Sequence, residues 1–332
     1  MSRLPRRFRV LCVAATAALL AAGCSGSGGS GSVGGLEKTN LVVAAVPALD
    51  SAGLYIAEQR GFFTQEGLHV KILPAISSAD VIKKQLQGQY DITAGAYPSY
   101  ILADVDQHAN FKVLVAGSTM APAVQEIVVP QGSRVTKMSQ LAGQTIGVNA
   151  TNNIGTLLVD AMLQDNAVAP ADRAGRKTTF KVIPFPLMGK ALAAHQVTAA
   201  WLPEPFISED EEQYGVQPLA DADQGAAESL PIEGYVVTQK WLDKYPHTAE
   251  AFRIAMDKAQ AVAAQNLAEV QKAMTAFAGV PPLAASVLAA PDFPTVTQAG
   301  PLQRVITLMV NFALINQGYN ARNLIAKIPS TG

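Results

Sequence analysis

From Leu36 onward, short runs rich in β-branched residues alternate with stretches whose apolar residues recur every three or four positions. Few folds accept that rhythm. It predicts an α/β chain with largely parallel sheets, because each strand must be carried back by a helix before the next begins. Leu41 to Val46 reads as a buried strand, and a short helix over Leu54 to Gln59 stops at Gly61, which takes a left-handed cap at no steric cost. Val70 to Leu73 is the next strand; Ser77 and Ser78 offer an N-cap to a helix carrying Val81, Ile82, Gln85 and Leu86, and Asp91 to Ala94 returns as a strand. A similar unit recurs about a hundred residues later: strand over Phe180 to Ile183, helix over Leu187 to Ala194, strand over Gln196 to Trp201. The repetition suggests two lobes of similar design. Further strands are expected at Phe111 to Ala116, Glu126 to Val129, Thr145 to Val148 and Tyr235 to Thr238.

After Thr238 the pattern is helical. Thr248 is the expected N-cap of a helix with Phe252, Met256, Ala259, Ala263, Val270 and Met274 on one face, ended by Gly279 and Pro281-Pro282. A last amphipathic segment carries Leu302, Val305, Ile306, Met309, Val310 and Phe312, with Arg304 and Asn311 too polar for a membrane span. Both segments are expected to pack on the first lobe.

The amino terminus reads as an export signal over residues 1–23. Arg3, Arg6, Arg7 and Arg9 precede a run of roughly 13 apolar and small residues, Val10 to Ala22, well short of the ~20 needed to span hydrocarbon. Cys12 lies inside the removable segment, which leaves Cys24 as the mature chain's single thiol, unable to form an internal disulfide. Ala21-Ala22-Gly23-Cys24, after Leu19-Leu20, resembles a bacterial lipobox, with Ala where Leu is commoner at its first position. That resemblance implies acylation of Cys24 and anchoring to the membrane through it. A permanent transmembrane anchor and a soluble secreted chain cut nearby are the alternatives. Residues 24–35, almost entirely Gly and Ser after Cys24, have the composition of a flexible tether. Loss of the four leader arginines moves the formal charge from −1 to about −5, with no basic stripe to favour nucleic acid.

Catalytic and metal signatures are absent from the sequence. His69, His108, His195 and His247 are far apart, and none has metal-ligand spacing with Asp, Glu or Cys. There is no nucleophile elbow and no phosphate-binding loop. Glu209-Asp210-Glu211-Glu212 reads as a solvated helix face rather than an acid/base pair. No metal, cofactor or enzymatic activity is expected.

Tyr55-Ile56-Ala57, Gly61-Phe62-Phe63 and Glu66-Gly67-Leu68 carry a family resemblance, and three later blocks agree in order: Gln89 to Thr93, Leu141 to Val148, and Trp201 to Phe206. Over roughly residues 40 to 260 the chain resembles the NMT1/THI5-like group of ABC importer solute-binding proteins, the aliphatic sulfonate, nitrate and taurine type. The resemblance implies a two-lobe, type II periplasmic-binding-protein-like fold, with lobe one over 36–121 plus 233–332, lobe two over 122–232, and crossings near Met120 to Gln125 and Leu230 to Gly234. It implies a monomer that captures a small anion or polar heteroaromatic and works with a permease and an ATPase, outside the cytoplasm. The pyridoxal-phosphate-dependent, pyrimidine-forming branch of the family is set aside, because its cysteine-rich motif is missing here. A surface lipoprotein that senses a solute for a receptor would have the same lobes and stays open.

Ligands of open α/β sheets sit outside the carboxyl ends of the strands. That rule selects Ala48 to Ala52, with Asp50 and Ser51; Ser77 and Ser78; Gly95 to Ser99, with Tyr97 and Pro98; Ser118 to Met120, with Thr119; the loop Asn149 to Thr156; and Trp201 to Glu204. Asn149, Thr151, Asn152, Asn153, Gly155 and Thr156 form a polar loop that opens a helix, where free N–H groups bind anions. The alternative is that Asn152 or Thr156 caps that helix. Tyr97 and Trp201 could stack on a flat ligand, with Met120 and Met188 as an adaptable wall, or all four could be packing. Glu204 could pair with a ligand cation, or start a helix.

Overall fold

A computed structural model describes residues 35–328 except 170, 172 and 317. The leader, Cys24 and the tether up to residue 34 lie outside the described residues. Two five-stranded sheets share one plan. The first contains β1 (Asn40–Ala45), β2 (His69–Pro74), β3 (Ile92–Ala96), β4 (Phe111–Thr119) and β10 (Pro231–Thr238), in the order β2-β1-β3-β10-β4. The second contains β5 (Gln125–Pro130), β6 (Thr145–Val148), β7 (Thr179–Val182), β8 (Ala199–Pro203) and β9 (Val216–Asp221), in the order β7-β6-β8-β5-β9. Each sheet has one antiparallel member: β10 runs against β3 and β4, and β5 against β8 and β9. This is an α/β fold of two lobes.

The chain crosses between lobes twice, at residues 120–124 and 222–230. The second crossing ends earlier than the expected Leu230 to Gly234, because Glu233 already pairs with Ala96 of β3 and Ser118 of β4. Helices cover both sheets. Ile56, Phe63 and Leu68 are fully buried and fix the first helix, Ala52–Gln59, to its sheet, with Gly61 and Gly67 at φ of +67° and +75° making the turns. Phe63 stacks on Phe252 of the long helix Pro246–Gln265 at 5.3 Å, and Tyr55 on Phe277 at 4.8 Å. Leu302, Val305, Ile306 and Met309 of helix Ala299–Asn311 join the same cluster as Tyr97 and Ile101. Both C-terminal segments therefore lie against lobe one.

Two local expectations are corrected. Thr248 does not cap its helix, which begins at Pro246; it is fully buried, and its hydroxyl donates to the Lys38 carbonyl at 2.9 Å. The acidic run is not wholly solvated either: Asp210 is 5% exposed, packed where a Cβ on Gly189 would sit. Among the described residues no helix is long and apolar enough to cross a membrane.

Candidate functional site

The carboxyl ends of both parallel sets of strands face each other at the junction of the lobes, and most of the expected residues lie there. A cavity of about 590 Å³ separates Ser78, Ser99 and Leu102 of lobe one from Thr151, Asn152 and Asn153 of lobe two. A second, of about 320 Å³, is bounded by Tyr97, Ser118, Thr119 and Pro231 at the hinge. Asp50, Ser51, Met120, Trp201 and Glu204 are buried in the contact between the lobes or just beneath it, where the Leu49 amide donates to the Glu204 carbonyl at 3.2 Å.

Several of these residues have structural partners. Ser77 caps its helix by accepting from the Asp80 amide at 3.3 Å, and Ser78 accepts from the Ala96 amide at 3.0 Å. Pro98 lies in the first turn of helix Tyr97–Gln107, where a missing N–H costs nothing. Asn153 and Thr156 form a reciprocal cap on helix Ile154–Asp165: each side chain accepts the other's amide at 3.1 Å. Asn153 also donates to Asn149 at 2.9 Å, while Asn152 is exposed with φ of +54°. The cap is thus Asn153 with Thr156, not Asn152, and it uses part of the loop's anion-binding capacity. Glu204 accepts from the Ser208 amide at 3.1 Å and hydroxyl at 2.8 Å, so it starts a helix. Met188 packs beneath Gly147 and is fully buried.

Tyr97 and Trp201 offer no open face, at 1% and 2% exposure. A Cβ on Gly234 would meet the Tyr97 ring at 2.7 Å, and one on Gly155 would meet the Trp201 ring at 2.5 Å. Trp201 is also held by Phe185, 5.6 Å between centroids.

The junction is acidic. Ser118 donates to Asp50 at 2.7 Å and Ser51 to Glu233 at 2.8 Å, all four buried. Burial pushes Asp50 up to about 6 and Glu233 well above the usual carboxylate range, the latter also by the charge of Asp50. Among the described residues no cation offsets the burial of either carboxyl. On the other side of the contact, burial raises Glu204 to about 7, and Glu126 to about 7 with help from Asp221 and Glu204. Among the described residues no group of three or more His, Cys, Asp or Glu could hold a metal.

Against this geometry stands a family model described as NMT1/THI5 like, which matches residues 48–269. The chain belongs to that family. NMT1/THI5-like architecture recurs in solved structures. The ligand-binding component of an ABC-type import system from Staphylococcus aureus, with zinc bound, is 16% identical with a TM-score of 0.72, covering 87% of this chain and 97% of its own. The alkanesulfonate-binding protein SsuA from Xanthomonas axonopodis pv. citri, bound to MOPS, is 16% identical with a TM-score of 0.71, covering 87% and 98%. The periplasmic nitrate-binding protein NrtA from Synechocystis PCC 6803 is 14% identical with a TM-score of 0.72, covering 86% and 85%. At these identities the likeness shows the fold. No curated protein sequence matches the chain.

Sequence reasoning selected the loop that begins at Ser118 but not its bond to Asp50, and it missed Glu233 and Gln125 as site residues. Of those two, Gln125 left a trace: an amide opening the apolar strand Gln125-Glu126-Ile127-Val128-Val129.

Proposed function

We propose that this NMT1/THI5-like chain is the extracytoplasmic solute-binding subunit of an ABC importer, not an enzyme, and that it carries a small polar molecule between its lobes to a permease and ATPase. In this reading acylated Cys24 holds it to the membrane and the Gly/Ser segment lets the body reach its partner. The solved relatives named for alkanesulfonate and nitrate binding support the transport role. The ligand is the finer question.

One observation carries our answer. Asp50 and Glu233 are buried together at the strand ends with hydroxyls and, among the described residues, no cation, a setting that repels a bare anion and favours a molecule with hydrogen-bond donors. Among the candidates, an amino-bearing heteroaromatic or taurine's ammonium end fits this setting, whereas nitrate or an unsubstituted sulfonate does not. The test is thermal shift and calorimetry on the mature protein with aminopyrimidines, taurine, ethanesulfonate, nitrate and flavins. A ligand at about a hundred times its Kd adds roughly 2.7 kcal/mol, a rise of a few degrees. Donor-bearing compounds should give that rise and nitrate none. A hit confined to nitrate or ethanesulfonate would leave transport standing and reverse the ligand class.

A further inference from the structure

Two buried side-chain atoms of lobe two, at the junction, have no hydrogen-bond partner: Nε1 of Trp201 and Oε1 of Gln125. The residues are 2% and 1% exposed. Buried polar groups are nearly always paired, so two orphans in neighbouring strands call for an explanation. The register of β5 and β8 places Ile127 opposite Trp201 and Gln125 opposite Pro203. Side chains alternate along a strand, so Gln125 and Trp201 project from the same face and are diagonal neighbours, a separation that long and aromatic side chains can span.

The indole is fixed in place. Its Cε3, Cζ3 and Cδ2 atoms face Gly155, and its ring lies against Phe185. Nε1 belongs to the opposite edge of the ring from Cε3 and Cζ3, so the packing that holds the indole leaves its N–H unengaged. Gly155 and Phe185 follow the carboxyl ends of β6 and β7, and Trp201 lies near that end of β8. Trp201 is the middle residue of β8, two residues short of its carboxyl end, so the orphan donor lies buried just beneath the rim where ligands of such folds bind. Trp241, the other tryptophan, has a partner: its Nε1 donates to Asp91 at 3.0 Å.

We propose that Trp201 and Gln125 read the solute as a pair. The indole N–H donates to an acceptor on the solute and the Gln125 carbonyl oxygen accepts from a donor beside it. The solute then presents acceptor and donor on one planar edge, as amides, amidines and aminopyrimidines do. Trp201 acts by its edge and not by stacking. This inference rests on the interlobe binding reading above.

The test uses the mature protein with 15N-labelled tryptophan, whose two indole signals report Trp201 and Trp241 separately. It is titrated with 4-aminopyrimidine and cytosine, and with ethanesulfonate as the acceptor-only control, calorimetry running in parallel. Binding of an aminopyrimidine should move the Trp201 signal downfield and leave Trp241 in place. Trp201→Phe removes the N–H together with outer ring carbons that face Gly155, so it should weaken that binding about tenfold or more and also lower the Tm of the free protein, which makes the Gln125 variants the specific arm of the test. Gln125→Met should weaken it similarly, and Gln125→Glu, which keeps an acceptor, should restore most of it. Heat of binding with an unmoved Trp201 signal would overturn the inference and leave the binding reading intact. So would an indole signal already downfield and protected from exchange in the free protein, the mark of an internal water. Calorimetric silence with all three compounds would remove the binding reading for this ligand class, and the inference with it.

Discussion

Glu204 answers to two neighbours at once. Its side chain accepts two hydrogen bonds from Ser208, which favour the charged form, yet burial outweighs them and lifts the carboxyl to about 7. A carboxyl raised in the folded state contributes stability that is complete below its unfolded value, near 4.5, and is lost as pH rises through the folded value. Glu204→Gln keeps an acceptor for Ser208 and removes the charge. It should raise Tm by a few degrees at pH 8, on the order of 2 kcal/mol, and change little at pH 5. A lower Tm at pH 8 would mean that the charged form is the one the fold uses. Gly155 makes the second test of this scale. An alanine in a helix ordinarily gains about 1 kcal/mol over glycine, but here its Cβ would stand 2.5 Å from a ring that Phe185 prevents from yielding. Gly155→Ala should therefore destabilise, by roughly 1–3 kcal/mol in urea unfolding, and a net gain would show that Trp201 can move. Asp50 and Ser51 were legible as site candidates because they follow a strand. Glu233 was not, since its importance comes from β10 inserting between β3 and β4, and nothing in a local apolar pattern announces that register.

At the scale of elements, helix Ile154–Asp165 shows what local chemistry can specify. Asn153 and Thr156 satisfy two backbone donors that would otherwise be orphaned. Asn153→Ala should cost about 1 kcal/mol in chemical denaturation, whereas Thr151→Ala, on the exposed part of the same loop, should stay within about 0.5 kcal/mol. Equal losses would mean that the loop is held by the interlobe contact and not by its cap. The strand and helix order was readable from periodicity because each element meets a core on one side, as Leu41, Val43 and Ile56 do. What misled were positions where tertiary packing overrides local preference. Thr248 has a capping side chain, but Pro246 starts the helix first and Thr248 is drawn inward to Lys38. Asp210 has three acidic neighbours in sequence, but the helix turns it onto Gly189.

The whole molecule concentrates raised carboxyls where its lobes meet: Asp50 at about 6 and Glu233 well above the usual carboxylate range on one side, Glu126 and Glu204 at about 7 on the other. Asp160 at about 6 and Asp210 at about 7, within lobe two, add to the same trend. All hold protons in the folded chain at a pH where the unfolded chain has released them, so stability falls as pH rises from about 4, where the aspartates begin, to above 7. Glu37 works in the other direction. Burial opposes its charge, but hydrogen bonds from the Thr248, Glu37 and His247 amides and the His247 ring outweigh it and bring the carboxyl to about 2, so its contribution is lost only as pH falls below 4.5. Tm should thus peak in the mildly acidic range and drop by several degrees by pH 8. Because opening the lobes would rehydrate the junction acids without unfolding either sheet, the same rise in pH should favour parted lobes. X-ray scattering at pH 5 and pH 8 should show a larger radius of gyration at the higher value, and a bound ligand should reverse the expansion. A Tm that falls while the radius stays constant would move the origin of the effect to Asp160 and Asp210 inside lobe two; a Tm that rises toward pH 8 would mean that the junction acids are hydrated even in the closed molecule.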